Sequence, residues 1–428
     1  MSSSFRILDK YLKRHPLKYG SLNHISDISI AVVIPAYKEE GFLFDTLHAL
    51  FDCQQPAGRV GIIVVINASE KDDAALVECQ KDFSRRIRSE FTSIVPSWMM
   101  VEVIEAYNLP AKHFGAGLAR KIGMDATIDL FHREGKPNGV VLTLDSDTLV
   151  RNDYFNVIEK WFELPERLGA NIYFEHPIEG ELFPEEVYEG IVKYELHLRY
   201  YMQAHRFAGF PYAFHSMGSA MAMRAVSYAR AGGMPRKQAG EDFYFLQKLI
   251  PLGGFGEISN TVVHPSPRPS DRVLFGTGAA ITSHVEGLGN VNNTYNLKAF
   301  EDLKLFFDLK SELFDLKAAA YESWTYKLAG PLRSFLLNNK FFDDLDVLKR
   351  DCARQEGFDK RFFEVFNAFR IVKYLNYVHE HFFEKAPVFD MSLALLELKG
   401  LETDDFLLES DLLEYYRKLE VENPFFIS

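Results

Sequence analysis

The chain has only three cysteines in 428 residues, Cys53, Cys79 and Cys352, scattered and odd in number. That excludes a disulfide framework and a Cys-based zinc site and fits a reducing, cytoplasmic setting. No stretch approaches the ~20 apolar residues of a membrane span, and the polar, basic segment from Met1 to Gly20 lacks the apolar core of an export signal. A basic run is also missing: with a formal charge of -12, the chain has no electrostatic footprint for DNA or RNA, so nucleic acid is excluded as a partner. An anionic ligand would have to be met by local cations. No internal repeat or low-complexity tract appears.

What is present is a hydrophobic fraction of 47%, enough for a domain of roughly 250 residues plus a smaller one. Residues 1–27 read as an N-terminal extension, with Arg6, Lys10, Lys13 and Arg14 on a short helix. From Ile28 the pattern sharpens. Ile28 to Ile34 and Val60 to Ile66 are continuous apolar runs of the kind buried on both faces of a parallel sheet. Helical patterns follow each, through Leu43, Leu47 and Leu50 and from Ala74. A third strand is expected at Val101 to Ile104, a helix at Leu118 to Leu130, and a strand at Val140 to Leu144. This alternation predicts an α/β fold with right-handed crossovers.

The strand ending at Leu144 delivers Asp145-Ser146-Asp147 into a loop. Functional groups of α/β sheets sit beyond the carboxyl ends of the strands, and paired carboxylates suit hard cations such as Mn²⁺ or Mg²⁺. An isolated Asp-x-Asp is also a common polar turn. Arg120 and Lys121 stand in a Gly-rich approach to a helix, where cations and backbone N–H groups can meet phosphate oxygens; a solvated helix face is the plainer alternative.

Four motifs in order carry a resemblance: Val33-Ile34-Pro35-Ala36-Tyr37-Lys38-Glu39-Glu40, a second strand ending Asn67-Ala68-Ser69, Gly117-Leu118-Ala119-Arg120-Lys121-Ile122-Gly123-Met124-Asp125, and Asp145-Ser146-Asp147. Together they resemble a family 2 glycosyltransferase of the GT-A fold, a bacterial-type soluble member. The resemblance implies a Rossmann-like mixed sheet flanked by helices over 28–295, with a C-terminal all-α region over 296–428. It implies that Pro35, Ala36, Tyr37 and Glu39 lie against the nucleotide base and ribose, with Asn67 where an acidic residue often stands. It further implies that Asp147 holds the metal, with Asp145 near it or near the ribose. Gly240-Glu241-Asp242, also readable as favourable first-turn charges on a helix, matches the family's Glu-Asp motif. Asp242 is then the general base of an inverting transfer and Glu241 a supporting contact. His264 is a further metal ligand by the same resemblance, with a structural histidine as the alternative. Arg268 and Arg272 lie in a Pro- and Gly-rich loop, continuing to Phe275, suited to closing over a diphosphate.

The implied activity is transfer of a sugar from a nucleoside diphosphate sugar, UDP ahead of GDP, to an acceptor hydroxyl. Absence of a Gln-x-x-Arg-Trp motif argues against a processive synthase. Two rival readings are a retaining transferase of the mannosylglycerate synthase-like kind and a sugar-phosphate nucleotidyltransferase. The latter usually carries a Gly-rich basic signature where Pro35-Ala36-Tyr37 stands. Beyond residue 296 the pattern is helical, with 18 basic against 25 acidic residues over 298–428, which disfavours docking on anionic lipid. These helices are expected to cover the acceptor site or mediate self-association.

Overall fold

The computed structural model describes residues 3–91, 93–272, 276–289 and 291–428; Phe275 lies outside them. The chain forms two compact units. One comprises 1–188, 216–282 and 418–428, the other 189–215 and 283–417.

The first unit is α/β. Its chain runs α1 (Ser3–Arg14), β1 (Ile28–Ala36), α2 (Leu43–Phe51), β2 (Arg59–Ser69), α3 (Ala74–Phe91), β3 (Met99–Leu109), α4 (Ala116–Arg133), β4 (Val140–Thr143), β5 (Thr148–Val150), α5 (Tyr154–Trp161) and β6 (Gly169–Phe174). Next come α6 (Glu185–Phe207), which passes into the second unit, then β7 (Met221–Arg224), α7 (Ala225–Arg230), α8 (Glu241–Leu249), β8 (Phe255–Pro265) and α9 (Thr277–Val285). The mixed sheet has the order β11-β8-β6-β7-β4-β1-β2-β3, with β5 paired to β8 and β11 (Phe426–Ile427) closing one edge.

The neighbours β3, β2, β1 and β4 are parallel, and β6 is parallel to β8, while β7 runs antiparallel between β4 and β6. All the parallel strands therefore end at one edge, and the order reverses between β1 and β4, where an open α/β sheet forms its binding crevice. The apolar runs read from the sequence are these strands. Each residue from Ala31 to Ile34 and from Ile62 to Ile66 is fully buried, as expected for strands covered on both faces. β7 is short: Met221–Arg224 pairs with β4, and Met221–Met223 with β6. Arg224 then donates to the carbonyls of Arg167, Asn138, Phe162 and Leu164, tying two stretches of chain, at 138 and 162–167, to the strand's end. The N-terminal helix is part of this unit: Tyr11 of α1 is buried and its hydroxyl donates to Asp125 of α4 at 2.6 Å.

The second unit is helical. It holds α10 (Leu297–Asp308), α11 (Tyr321–Thr325), α12 (Gly330–Asn338), α13 (Phe341–Arg350), α14 (Gln355–Val365), α15 (Ala368–His381), α16 (Val388–Leu398) and most of α17 (Glu409–Glu422), with a two-residue ladder of β9 (Asn293–Thr294) and β10 (Ala386–Pro387). Its core is phenylalanine. The ring of Phe306 meets those of Phe341, Phe362 and Phe366 at 5.5, 5.6 and 5.0 Å, edge to face. Phe306→Ala should therefore destabilise this unit by about 3–5 kcal/mol in urea unfolding. A loss under 1 kcal/mol would show that the cluster relaxes around the cavity. Among the described residues no helix is long and apolar enough to cross a membrane.

Candidate active site

The loops leaving β1, β4 and β8 converge at the carboxyl edge. β4 ends opposite Val33, so Pro35 lies past the last rung and its missing N–H costs no bond to β4. The chain then turns through Lys38 in the left-handed region (φ 57°), which carries Glu39 inward to 5% exposure.

After β4, Asp145-Ser146-Asp147 is held on two sides. The hydroxyl of Thr46 on α2 donates to the Ser146 carbonyl at 3.0 Å, and the Ser266 N–H beyond β8 donates to the Asp147 carbonyl at 3.1 Å. The same loop after β8 supplies Arg268, which donates to Asp147 at 2.5 Å and to both oxygens of Glu39 at 2.8 Å, while its guanidinium lies over the Phe42 ring. Arg272 pairs with Glu39 at 2.6 Å and donates to the Tyr37 carbonyl. The loop expected to close over a diphosphate is thus strapped across β1 and β4 by its arginines.

A second network is built on Arg120 of α4. This buried guanidinium donates to Asp145 and to Glu241, which starts α8, joining two motifs 96 positions apart in sequence. Two glycines permit the approach. A Cβ on Gly117 would stand 2.6 Å from the Glu241 side chain, and one on Gly218 would stand 2.6 Å from the Arg120 guanidinium. Asp242 follows in the first turn of α8 and accepts the Phe243 N–H at 2.7 Å.

Burial pushes the Asp242 carboxyl well above the ordinary carboxylate range. The Glu241 charge adds to that rise and Arg120 opposes it. Asp147 is pushed up to about 6, chiefly by burial, with Arg268 opposing and Asp145 and Glu39 adding.

Other residues singled out in the sequence lie elsewhere. Lys121, expected beside a phosphate, is one position round α4 from Arg120 and faces away, pairing with Asp125 at 3.0 Å and donating to Tyr11. Asn67 is 2% exposed and its amide donates to the carbonyls of Ala36 and Val65, so it pins the ends of β1 and β2 together. Tyr37 remains at the rim, packed edge-on against Phe114, its hydroxyl donating to Asp72 at 3.0 Å. Asp72, which also accepts the Ser69 N–H, was not singled out; its signal was a carboxylate five positions after Asn67 in the loop beyond β2.

His264 pairs with Leu149 across β8 and β5. Its Nδ1 is 3.1 Å from the Glu175 carbonyl, so Nδ1 donates there and Nε2 is left with the lone pair. Among the described residues no three His, Cys, Asp or Glu side chains converge to hold a cation by themselves.

No family model matches the chain, and neither does any curated protein. Similar solved structures include S. aureus TarS in complex with UDP-GlcNAc (TM-score 0.37, 13% identity, covering 80% of this chain and 92% of that one). A mannosyltransferase of Pyrobaculum calidifontis in complex with GDP-Man and Mn²⁺ is similar at TM-score 0.36 and 13% identity over 97% of this chain and 87% of that one. GalNAc-T7 with UDP, GalNAc and Mn²⁺ gives 0.35 and 13% over 67% and 51%. At identities and TM-scores this low, these likenesses carry no argument about activity.

Proposed function

We propose that the chain is a metal-dependent glycosyltransferase that moves a sugar from a nucleoside diphosphate sugar, UDP ahead of GDP, to an acceptor hydroxyl with inversion. One observation carries the reading. Five segments bring five carboxylates, Glu39, Asp145, Asp147, Glu241 and Asp242, together with three guanidiniums, Arg120, Arg268 and Arg272, at the carboxyl edge of the sheet. With every one of these groups ionised the formal balance is two negative charges, the charge of one divalent cation.

The donor set fits Mn²⁺ or Mg²⁺. Asp145 and Asp147 offer hard oxygens, and such ions are commonly held by one or two carboxylates together with substrate phosphates rather than by a complete protein cage. When bound, the cation would offset charge developing on the departing diphosphate. Arg268 and Arg272, on their loop, would meet the same phosphates with forked N–H donors. Asp242 would take the proton from the acceptor hydroxyl, a task its raised pKa suits near neutral pH. Glu241, tethered by Arg120, would orient the acceptor or sugar. Tyr37 and Asp72 at the rim would contact the base.

The test is thermal stability with UDP and with GDP, each with and without Mn²⁺. At ~100 times Kd a ligand of the folded state adds about 2.7 kcal/mol. A Mn²⁺-dependent rise with one nucleotide, lost in Asp147→Asn, is the expected result. No rise with either, or a rise untouched by that substitution, would refute the site. Product stereochemistry tests the base: retention of the donor's anomeric configuration would remove that role from Asp242.

A further inference from the structure

Helix α4 presents two faces. Gly117, Arg120 and Gly123 face Glu241, the Asp145 loop and the sheet. Leu118, Lys121, Ile122 and Asp125, spaced i, i+3, i+4, i+7, line a pocket closed by residues 16–19 and by Arg236.

We propose that this pocket is a second ligand site, apart from the crevice at the carboxyl edge, for a small organic anion: a phosphate or carboxylate carried on an apolar body. Its walls are of two kinds. Leu17, Leu118 and Ile122 supply apolar surface, while Lys18, Lys121 and Arg236 supply three cations. Asp125 is the lone acid of the lining, and it is already engaged by Lys121, Tyr11 and Tyr228. Lys18 and Arg236 are exposed and, among the described residues, neither has an ion-pair partner, so two positive charges remain to be met in a protein of net charge -12. Apolar walls with a few charged groups are a lining that small-molecule sites share.

The pocket also touches the segment that leads into α8. Gln238 donates to the Ala111 carbonyl at 2.9 Å, and His113, on the pocket wall, donates through Nδ1 to the Arg236 carbonyl at 3.2 Å. An anion bound at Arg236 would order the four residues that precede Glu241 and Asp242. The site stands on its own lining and does not require the transferase reading.

Thermal-shift titrations with phenyl phosphate, phenylacetate and inorganic phosphate test it, on the full chain and two variants. Lys18→Ala/Arg236→Ala empties the pocket of its unpaired charge without stranding Asp125, and Arg268→Ala removes a cation of the other site. Saturable binding of either phenyl compound, kept in Arg268→Ala and weakened tenfold or more in the double variant, upholds the site, and the compound that binds identifies the anion. Loss in Arg268→Ala with no change in the double variant would overturn it, as would no saturable binding. Inorganic phosphate binding as tightly as phenyl phosphate would overturn the apolar part of the ligand class.

Discussion

Asp242→Asn should lower kcat by about 10²–10⁴-fold, the usual contribution of a positioned general base, while nucleotide affinity changes less than threefold. The amide keeps the shape of the side chain and its contact with the Phe243 N–H, but it cannot take a proton. The pH dependence follows from the same group. A protonated carboxyl is inactive as a base, and burial beside Glu241 holds this one's pKa above the ordinary range. In the wild type kcat/KM should therefore climb with pH through a midpoint well above 4 and then level off, since ordinary aspartates titrate near 3.9. The residual rate of Asp242→Asn should lack that limb. An Asn variant with wild-type kcat, or one that retains the acid limb, would move the base elsewhere.

Arg120→Met should have the largest effect on stability within the site. Removing the guanidinium leaves Glu241, 5% exposed, and Asp145 without their shared partner. Stranding one member of a buried pair costs roughly 3–5 kcal/mol, and partial solvation of Asp145 puts the expected loss at about 3. Arg120→Lys should recover only part, because one ammonium cannot span both carboxylates in forked geometry. Arg120 also opposes the rise in the Asp242 pKa, so its loss should shift the acid limb of kcat/KM to higher pH. Urea unfolding and a pH profile separate the two consequences. A destabilised variant with an unmoved profile would make Arg120 purely structural; no destabilisation would mean that the two carboxylates find other partners.

The same network shows how much of the site was legible in advance. Asp145, Asp147, Glu241 and Asp242 stand out because acids placed at strand and helix ends have a chemical reason to be there. That Arg120 joins them required α4 to lie against α8, and only the bare backbones of Gly117 and Gly218 allow that approach. Lys121 looked equivalent to Arg120, yet one residue is 100° of helix, and that turn places it on the opposite wall. Asn67 had the right position along β2 but not the right exposure, because its amide is consumed by two backbone carbonyls. Asp72 was hidden among the charges of an ordinary loop, and its contacts with the Tyr37 hydroxyl and the Ser69 N–H set it apart from Asp73.

From the sequence alone came the four parallel strands β1 to β4, the helical character of the region after 296, and the carboxylates proposed for the site. Those features are local: apolar runs, helical periodicity and polar residues at the ends of elements suffice to read them. Tertiary structure alone decided which cation meets which carboxylate, which face of α4 is chemical, and that α1 packs on α4. It also decided that the β8 loop crosses to Glu39, 229 positions earlier in the chain. Partners so distant in sequence are set by strand order and helix approach, which no local pattern of residues encodes.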